Sequence, residues 1–334
     1  MIISKTPYRI SFFGGGSDYP DWYLKYGGEV LSSTINKHIY ITCRYLPPFF
    51  KHKHRIVWSK LERVKTTNEI QHDSVRELLK LLKIKKGMEI HYDGDLPARS
   101  GMGSSSCFVV GLINTIKALK GININKRELA AESIIFEQKI LKEVVGSQDQ
   151  IAAAYGGFNK IKFFSDGNFK VYPIKSINNK EHRLNENFVL LYTGIKRTAH
   201  HIAKSYVKKL AKGKRNEIFQ IIEYVKEGEI LLNNRNYDDF GRLLHESWLR
   251  KKSLSSKITN SAIDDIYNNA IKRGALGGKL LGAGGGGFLL LYVEGENQVK
   301  VTKALKGLFC LDVKLDAGGT RITYYDQDRV EQRL

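Results

Sequence analysis

The stretch "PARSGMGSSS" at 97–106 constrains this chain more than any other, because "CFVVGLINTIKAL" follows it without a break. Phe108, Leu112, Ile116 and Leu119 recur at helical spacing, so loop residues run straight into a helix predicted over about 103–120. A helix N-terminus leaves four N–H groups unpaired and carries roughly half a positive charge. Gly101 and Gly103 remove side chains that would block an approaching anion, and Ser104, Ser105 and Ser106 add hydroxyl groups. The stretch is not a Walker A loop, since no lysine follows the glycines. It reads either as a phosphate site or as a serine-capped helix packed through small residues. Three serines after two glycines exceed what a cap requires, which favours the phosphate site.

Two more glycine clusters flank it. In "TPYRISFFGGGSDYPDW" (6–22) a strand runs into three glycines and then Asp18. The glycines let backbone approach a ligand, and Asp18 would hold a sugar-like hydroxyl; the other reading is a strand–helix turn capped by Ser17 or Asp18. In "LGAGGGGF" (281–288) Gly282, Gly284 and Gly287 satisfy the spacing of a dinucleotide fingerprint. That fingerprint must open a helix, whereas "FLLLYV" reads as a strand, so the dinucleotide reading fails on context. What remains is a glycine turn between two strands, either a wall facing a ligand or a wide hairpin.

With 334 residues the chain is long enough for two domains. The polar stretch around 180–187 separates strand-rich sequence from mostly helical sequence, which suggests domains of 1–185 and 186–334. The first is expected to hold strands at 8–13, 37–46 and 87–97, a helix at 74–83, and a hairpin turning at "SDGN". The second is expected to be helical to about 273 and to close with two strands, a helix and two terminal strands. No apolar run is long enough to span a bilayer, and residues 1–12 lack the features of a secretory signal. Cys43, Cys107 and Cys310 are widely spread, so a cytoplasmic protein without disulfides or a cysteine zinc site is expected. The formal net charge of +20 suits nucleic acid or anionic ligands, but equally lysines spread over solvated faces. The lysines are scattered, so neither a nucleic-acid nor a membrane partner is expected.

One acid stands out. A helix predicted over 126–145, opened by a capping box of Asn125 and Glu128, gathers Ala130, Ile134, Ile140, Leu141, Val144 and Val145 on one apolar arc. Glu137 projects into the middle of that arc. An ionised carboxylate buried there needs a cation, either a basic side chain or a metal. Further on, in "GSQDQIAAAYGG", Asp149 sits at the start of a helix of small residues and by itself reads as a cap.

Three glycine motifs in this order, with the two acids between the second and third, resemble the galactokinase–homoserine–mevalonate–phosphomevalonate (GHMP) kinase superfamily over almost the whole chain. The resemblance implies an α+β, two-domain GHMP-kinase fold. Its first domain would carry a left-handed βαβ unit, against the usual crossover hand, and its second would be ferredoxin-like, with the active site between them. By that similarity Gly101, Gly103, Ser104, Ser105 and Ser106 would wrap the phosphates of ATP, while Ser105 and Glu137 would hold Mg2+. Asp149 would be the base that takes the acceptor hydroxyl's proton, and Arg9 would lower that hydroxyl's pKa. Gly16, Ser17 and Asp18 would bind the sugar, and Gly284, Gly285 and Gly286 would close around substrate or phosphate.

Within the superfamily, "GGSDY" departs from the acid and histidine that galactokinases place before their sugar-binding Asp. "FFGGGSDYPDWY", "GMGSSS", "VGSQDQ" and "YTGIKRTAHHI" instead resemble the D-glycero-D-manno-heptose 7-phosphate 1-kinases, which make the 1,7-bisphosphate for nucleotide-heptose and surface polysaccharides. Arg197, beside Lys196, would grip the sugar's existing phosphate, or is a solvated surface residue. His200 and His201 lack the company a metal site needs. Alternatives are a 1-kinase for fucose or another sugar, and a non-catalytic sugar sensor.

Overall fold

The structure, a computed structural model, describes residues 1–98, 100–176, 182–195, 207, 210, 213–316 and 318–326. It opens with β1 (Ile2–Phe13), a short helix α1 (Pro20–Tyr26) and the long strand β2 (Gly28–Tyr45). β1 and β2 pair antiparallel from Ile2 opposite Cys43 to Phe13 opposite Leu31. The first glycine cluster is therefore the tip of a hairpin that carries α1.

β3 (His54–Val57), β4 (Leu61–Val64), α2 (Asp73–Leu81) and β5 (Met88–Gly94) follow. In α2, Val75, Leu78 and Leu79 lie at i, i+3 and i+4 and are buried, which fixes its face on the sheet. β3 and β5 form the one parallel pairing among the described strands, with α2 between them, as a βαβ unit requires. Next come α3 (Ser104–Leu119), α4 (Lys126–Ile135), α5 (Gln148–Tyr155) and the hairpin β6 (Phe158–Phe163) and β7 (Phe169–Pro173). α3 is buried around most of its circumference because it lies on β1 and β2 and packs against α4 and α5.

The capping box forms as expected: Asn125 accepts from the Glu128 N–H, and Glu128 from the Asn125 N–H. The predicted helix to 145 is not continuous, however. α4 ends at Ile135, a π-helical turn covers Phe136–Ile140, and Lys142 takes a left-handed φ of 56°.

α6 (His182–Glu186), β8 (Phe188–Tyr192), α7 (Arg215–Asn233), α8 (Tyr237–Lys252), α9 (Ser261–Lys272), β9 (Ala275–Leu280), β10 (Phe288–Val293), α10 (Gly295–Ala304) and β11 (Phe309–Leu311) build the second unit. Its antiparallel sheet has the order β11-β8-β10-β9. That is the fourth-first-third-second order of a ferredoxin-like βαββαβ arrangement. The chain then returns to the first sheet, where β12 (Leu315–Asp316) pairs with β2 and β13 (Arg321–Tyr325) with β1. Leu315–Asp316 and Arg321–Tyr325, expected in the second domain, are strands of the first sheet.

Both sheets share one core. The Phe12 ring lies 5.1 Å from Phe158 of the first sheet, 5.5 Å from Phe188 and 5.4 Å from Phe240 of the second unit. Such ring pairs contribute about 0.5–1.5 kcal/mol each beyond area burial. Among the described residues no helix is long and apolar enough to cross a membrane.

Candidate active site

A cleft opens between the two units. The hairpin tip, the start of α3, the loop before α5 and the turn after β9 form its walls. At its floor, Arg9 of β1 donates from Nε to Asp149 Oδ1 and from Nη2 to Oδ2, both at 2.6 Å. Its Nη1 donates to the Gly101 carbonyl at 2.8 Å. One guanidinium thus ties the expected base to the glycine-serine loop. Arg9 is 4% exposed. Burial works against its charge, but the Asp149 carboxylate outweighs burial and its pKa is raised.

The loop itself differs from a serine-capped helix. Gly103 is the N-cap, in a left-handed conformation (φ 77°), and Ser104, Ser105 and Ser106 form the first helical turn with no side-chain cap bond. Gly101 is left-handed too (φ 86°). A Cβ on Gly103 would stand 3.2 Å from Asp149 Oδ2 and 3.4 Å from the Arg9 side chain. Glycine therefore keeps open the space between helix start and acid. The first-turn N–H groups face that space with the positive end of α3, the arrangement that holds phosphate oxygens.

Asp18 is 2% exposed and accepts from the Gly16 N–H and from Gln148 Nε2, each at 2.9 Å. Burial raises its pKa against these bonds. It does not cap α1, whose N-cap is Tyr19. Gly16 lines the cleft beside Asp18. Ser17 does not: it is buried within the turn, its hydroxyl bonding to the Gly14 and Glu29 carbonyls at 2.8 and 2.9 Å.

Glu137 is fully buried beneath the cleft, with Oε2 accepting from Gln150 Nε2. Burial pushes its carboxyl up to about 8, against opposing bonds from Ser106 and Gln150. Its Oε1 has no hydrogen-bond partner. An orphaned carboxylate oxygen near serine hydroxyls suits a hard cation with oxygen ligands. Among the described residues no three His, Cys, Asp or Glu side chains cluster as a metal cage. Mg2+ needs none, since it commonly binds through one or two carboxylates plus substrate phosphates.

The third glycine motif forms the turn between β9 and β10, as its flanking strands predict. Gly282 and Ala283, rather than the expected Gly284, Gly285 and Gly286, line the cleft. The latter three pack on neighbouring backbone: Gly285 N donates to the Ile258 carbonyl at 2.7 Å, and Cβ atoms on Gly284 and Gly286 would fall within 2.7 Å of Ile258 and 2.4 Å of Ile195. Arg197, Lys196, His200 and His201 lie outside the described residues.

Lys279, Lys251, Ser11, Gln148 and Gly146 also line the cleft, and sequence reading did not single them out. Signals existed for two of them. Lys279 is a charge inside an otherwise apolar strand, and Ser11 stands two residues from Arg9, where strand alternation favours one face.

Residues 69–157 match the family described as GHMP kinases N terminal domain, and residues 229–308 that described as GHMP kinases C terminal. The D-glycero-alpha-D-manno-heptose 7-phosphate kinase of Campylobacter jejuni is 30% identical over 91% of this chain and 93% of its own length. The chain belongs to the GHMP kinases. It is accordingly an ATP-dependent phosphotransferase acting on a hydroxyl group. The L-fucokinase/L-fucose-1-P guanylyltransferase of Bacteroides fragilis is 24% identical over 91% of this GHMP kinase, which spans 36% of that longer protein. A D-glycero-D-manno-heptose 1-phosphate kinase from Bacteroides thetaiotaomicron superposes with a TM-score of 0.79 at 23% identity, covering 98% of this chain and all of that one. That likeness establishes the two-domain fold.

Proposed function

We propose that this GHMP kinase transfers the γ-phosphoryl group of ATP to the anomeric hydroxyl of D-glycero-D-manno-heptose 7-phosphate, giving the 1,7-bisphosphate. The observation that carries the chemistry is the Arg9–Asp149 pair, held at 2.6 Å beside the start of α3 and within one cleft with Asp18. The sugar assignment is supported by the similarity to the Campylobacter jejuni heptose 7-phosphate kinase.

In this reading the N–H groups and hydroxyls of Gly103, Ser104, Ser105 and Ser106 hold the nucleotide phosphates. Asp18, oriented by Gly16 and Gln148, accepts from sugar hydroxyls and sets the acceptor oxygen against Asp149. Asp149 takes the hydroxyl proton as that oxygen bonds to the γ-phosphorus and the bridging oxygen leaves with ADP. Arg9 keeps the carboxylate in place and adds positive charge where negative charge gathers. Glu137, Ser105 and Ser106 would hold Mg2+, which neutralises phosphate charge when bound. Most of the acceleration then comes from position and charge, with proton removal a smaller term.

The test is a panel of acceptors with ATP and Mg2+: heptose 7-phosphate, unphosphorylated heptose, L-fucose and galactose. Phosphorus NMR of the product should show a second phosphate, on C1, and heptose 7-phosphate should give the highest kcat/KM. Faster turnover of L-fucose would favour the fucokinase reading suggested by the Bacteroides fragilis relative.

A further inference from the structure

Lys279 lies on β9, where residues 277–281 are all buried, and its side chain crosses to the first unit to donate to the Phe12 carbonyl of β1. It is 4% exposed and lines the cleft. Among the described residues no carboxylate stands within ion-pair distance of its ammonium. Asp149 is committed to Arg9 through both oxygens, and Asp18 to Gly16 and Gln148. A lysine ammonium has three N–H donors; among the described residues only one, to Phe12, meets a protein acceptor. Burial, and then the Arg9 charge, push the Lys279 ammonium down to about 7, and an anion bound beside it would restore its charge. No described residue supplies that anion.

Two further groups in the same cleft are also unspent. Ser11 Oγ and Gln148 Oε1 are buried without hydrogen-bond partners, on side chains 7% and 8% exposed that also line the cleft. They flank one space, since a Cβ built on Gly15 would stand 3.9 Å from both Ser11 Oγ and Gln148 Nε2. An ammonium, a hydroxyl and an amide oxygen around one volume match a polyol that carries an anionic substituent. The Arg9 charge is already balanced by Asp149, so the uncompensated cation of this group is Lys279.

We propose that Lys279 binds the anionic group of the acceptor, with Ser11 and Gln148 taking hydroxyls beside it, so that the cleft selects phosphorylated over neutral sugars. This rests on the reading of the acceptor as a sugar phosphate. It adds the residue that would enforce it.

Lys279→Met keeps the aliphatic stem and removes the charge. The expected result is a rise of about 100-fold in KM for heptose 7-phosphate, with KM for neutral heptose and for ATP unchanged within twofold. Lys279→Arg should recover part of the loss. Equal rises for both sugars would make Lys279 a tether to Phe12 only, a rise confined to ATP would make it a nucleotide contact, and no change would remove it from the site; each overturns the proposal. Calorimetric titration of inorganic phosphate into enzyme saturated with ADP reads the site without turnover. The wild type should bind, and Lys279→Met and Lys279→Arg should bind at least tenfold weaker and detectably, respectively. No binding to the wild type, or equal binding to Lys279→Met, overturns the assignment. Phosphate binding lost in Lys279→Met, in an enzyme that prefers neutral sugars, would leave Lys279 as an anion site while the heptose 7-phosphate reading falls.

Discussion

Asp149 is held by both nitrogens of an arginine fork that is itself nearly buried, so its carboxylate has little freedom to turn. Bidentate pairing fixes direction as well as charge. Replacing Asp149 with Asn removes the proton acceptor and leaves Arg9 without its counter-charge. Asp149→Asn should lower kcat by about 10²–10⁴-fold, the usual contribution of a general base. ATP binding, measured by titration, should stay within twofold. Near-normal kcat would remove Asp149 from the chemistry. Asp18 was legible beside its glycine cluster, whereas Asp149 by itself read as a cap and Arg9 entered only through the resemblance to GHMP kinases. The bond between Arg9 and Asp149 was not, because 140 residues separate the partners. Lys279 was missed because a lone lysine in a strand ordinarily carries its ammonium to solvent. Only its burial and its bond to the Phe12 carbonyl of β1 show that this one does not.

At the level of elements, residues not expected to bind a ligand set the geometry of the site. The loop between the π-helical turn and α5 places Gly146 against Asp18, and a Cβ there would fall 1.9 Å from Asp18 Oδ2. The Ser147 N–H bonds to the Asp18 carbonyl at 2.9 Å, so neither segment is free to retreat. Gly146→Ala should therefore displace the Asp18 carboxylate and raise KM for the sugar about tenfold or more, leaving KM for ATP unchanged. Unaltered sugar KM would place Asp18 outside the binding site. Periodicity extended the helix carrying Glu137 to residue 145, since "FEQKILKEVV" holds neither Gly nor Pro to stop it. π-turns lack such markers in sequence and tend to occur at functional sites. Likewise the serines after Gly103 look like caps in sequence. The left-handed glycine takes the cap position and shifts them into the helix.

Across the whole molecule, the candidate cleft and the joint between the two units are one structure. Phe288 N donates to the Ser100 carbonyl at 3.1 Å, and a Cβ on Gly287 would fall 2.1 Å from the same oxygen. The third glycine turn is thus pressed against the first residues of the glycine-serine loop. Phe12 joins the cores at the end of β1, the strand that carries Arg9 and Ser11. Length and a polar stretch near 180–187 indicated two units, and the strand–helix order indicated the second. The return of β12 and β13 to the first sheet was illegible, because pairing between residues 280 to 323 positions apart leaves no local signal. In the proposed function the start of α3, which lines the cleft, is the seat of the nucleotide. A crystal structure with a non-hydrolysable ATP analogue and Mg2+ tests that most directly. It should show triphosphate oxygens within hydrogen-bond distance of the N–H groups of residues 103–106, with the terminal phosphorus facing the Asp149 carboxylate. A triphosphate seated elsewhere, with those N–H groups bonded to protein instead, would contradict the account.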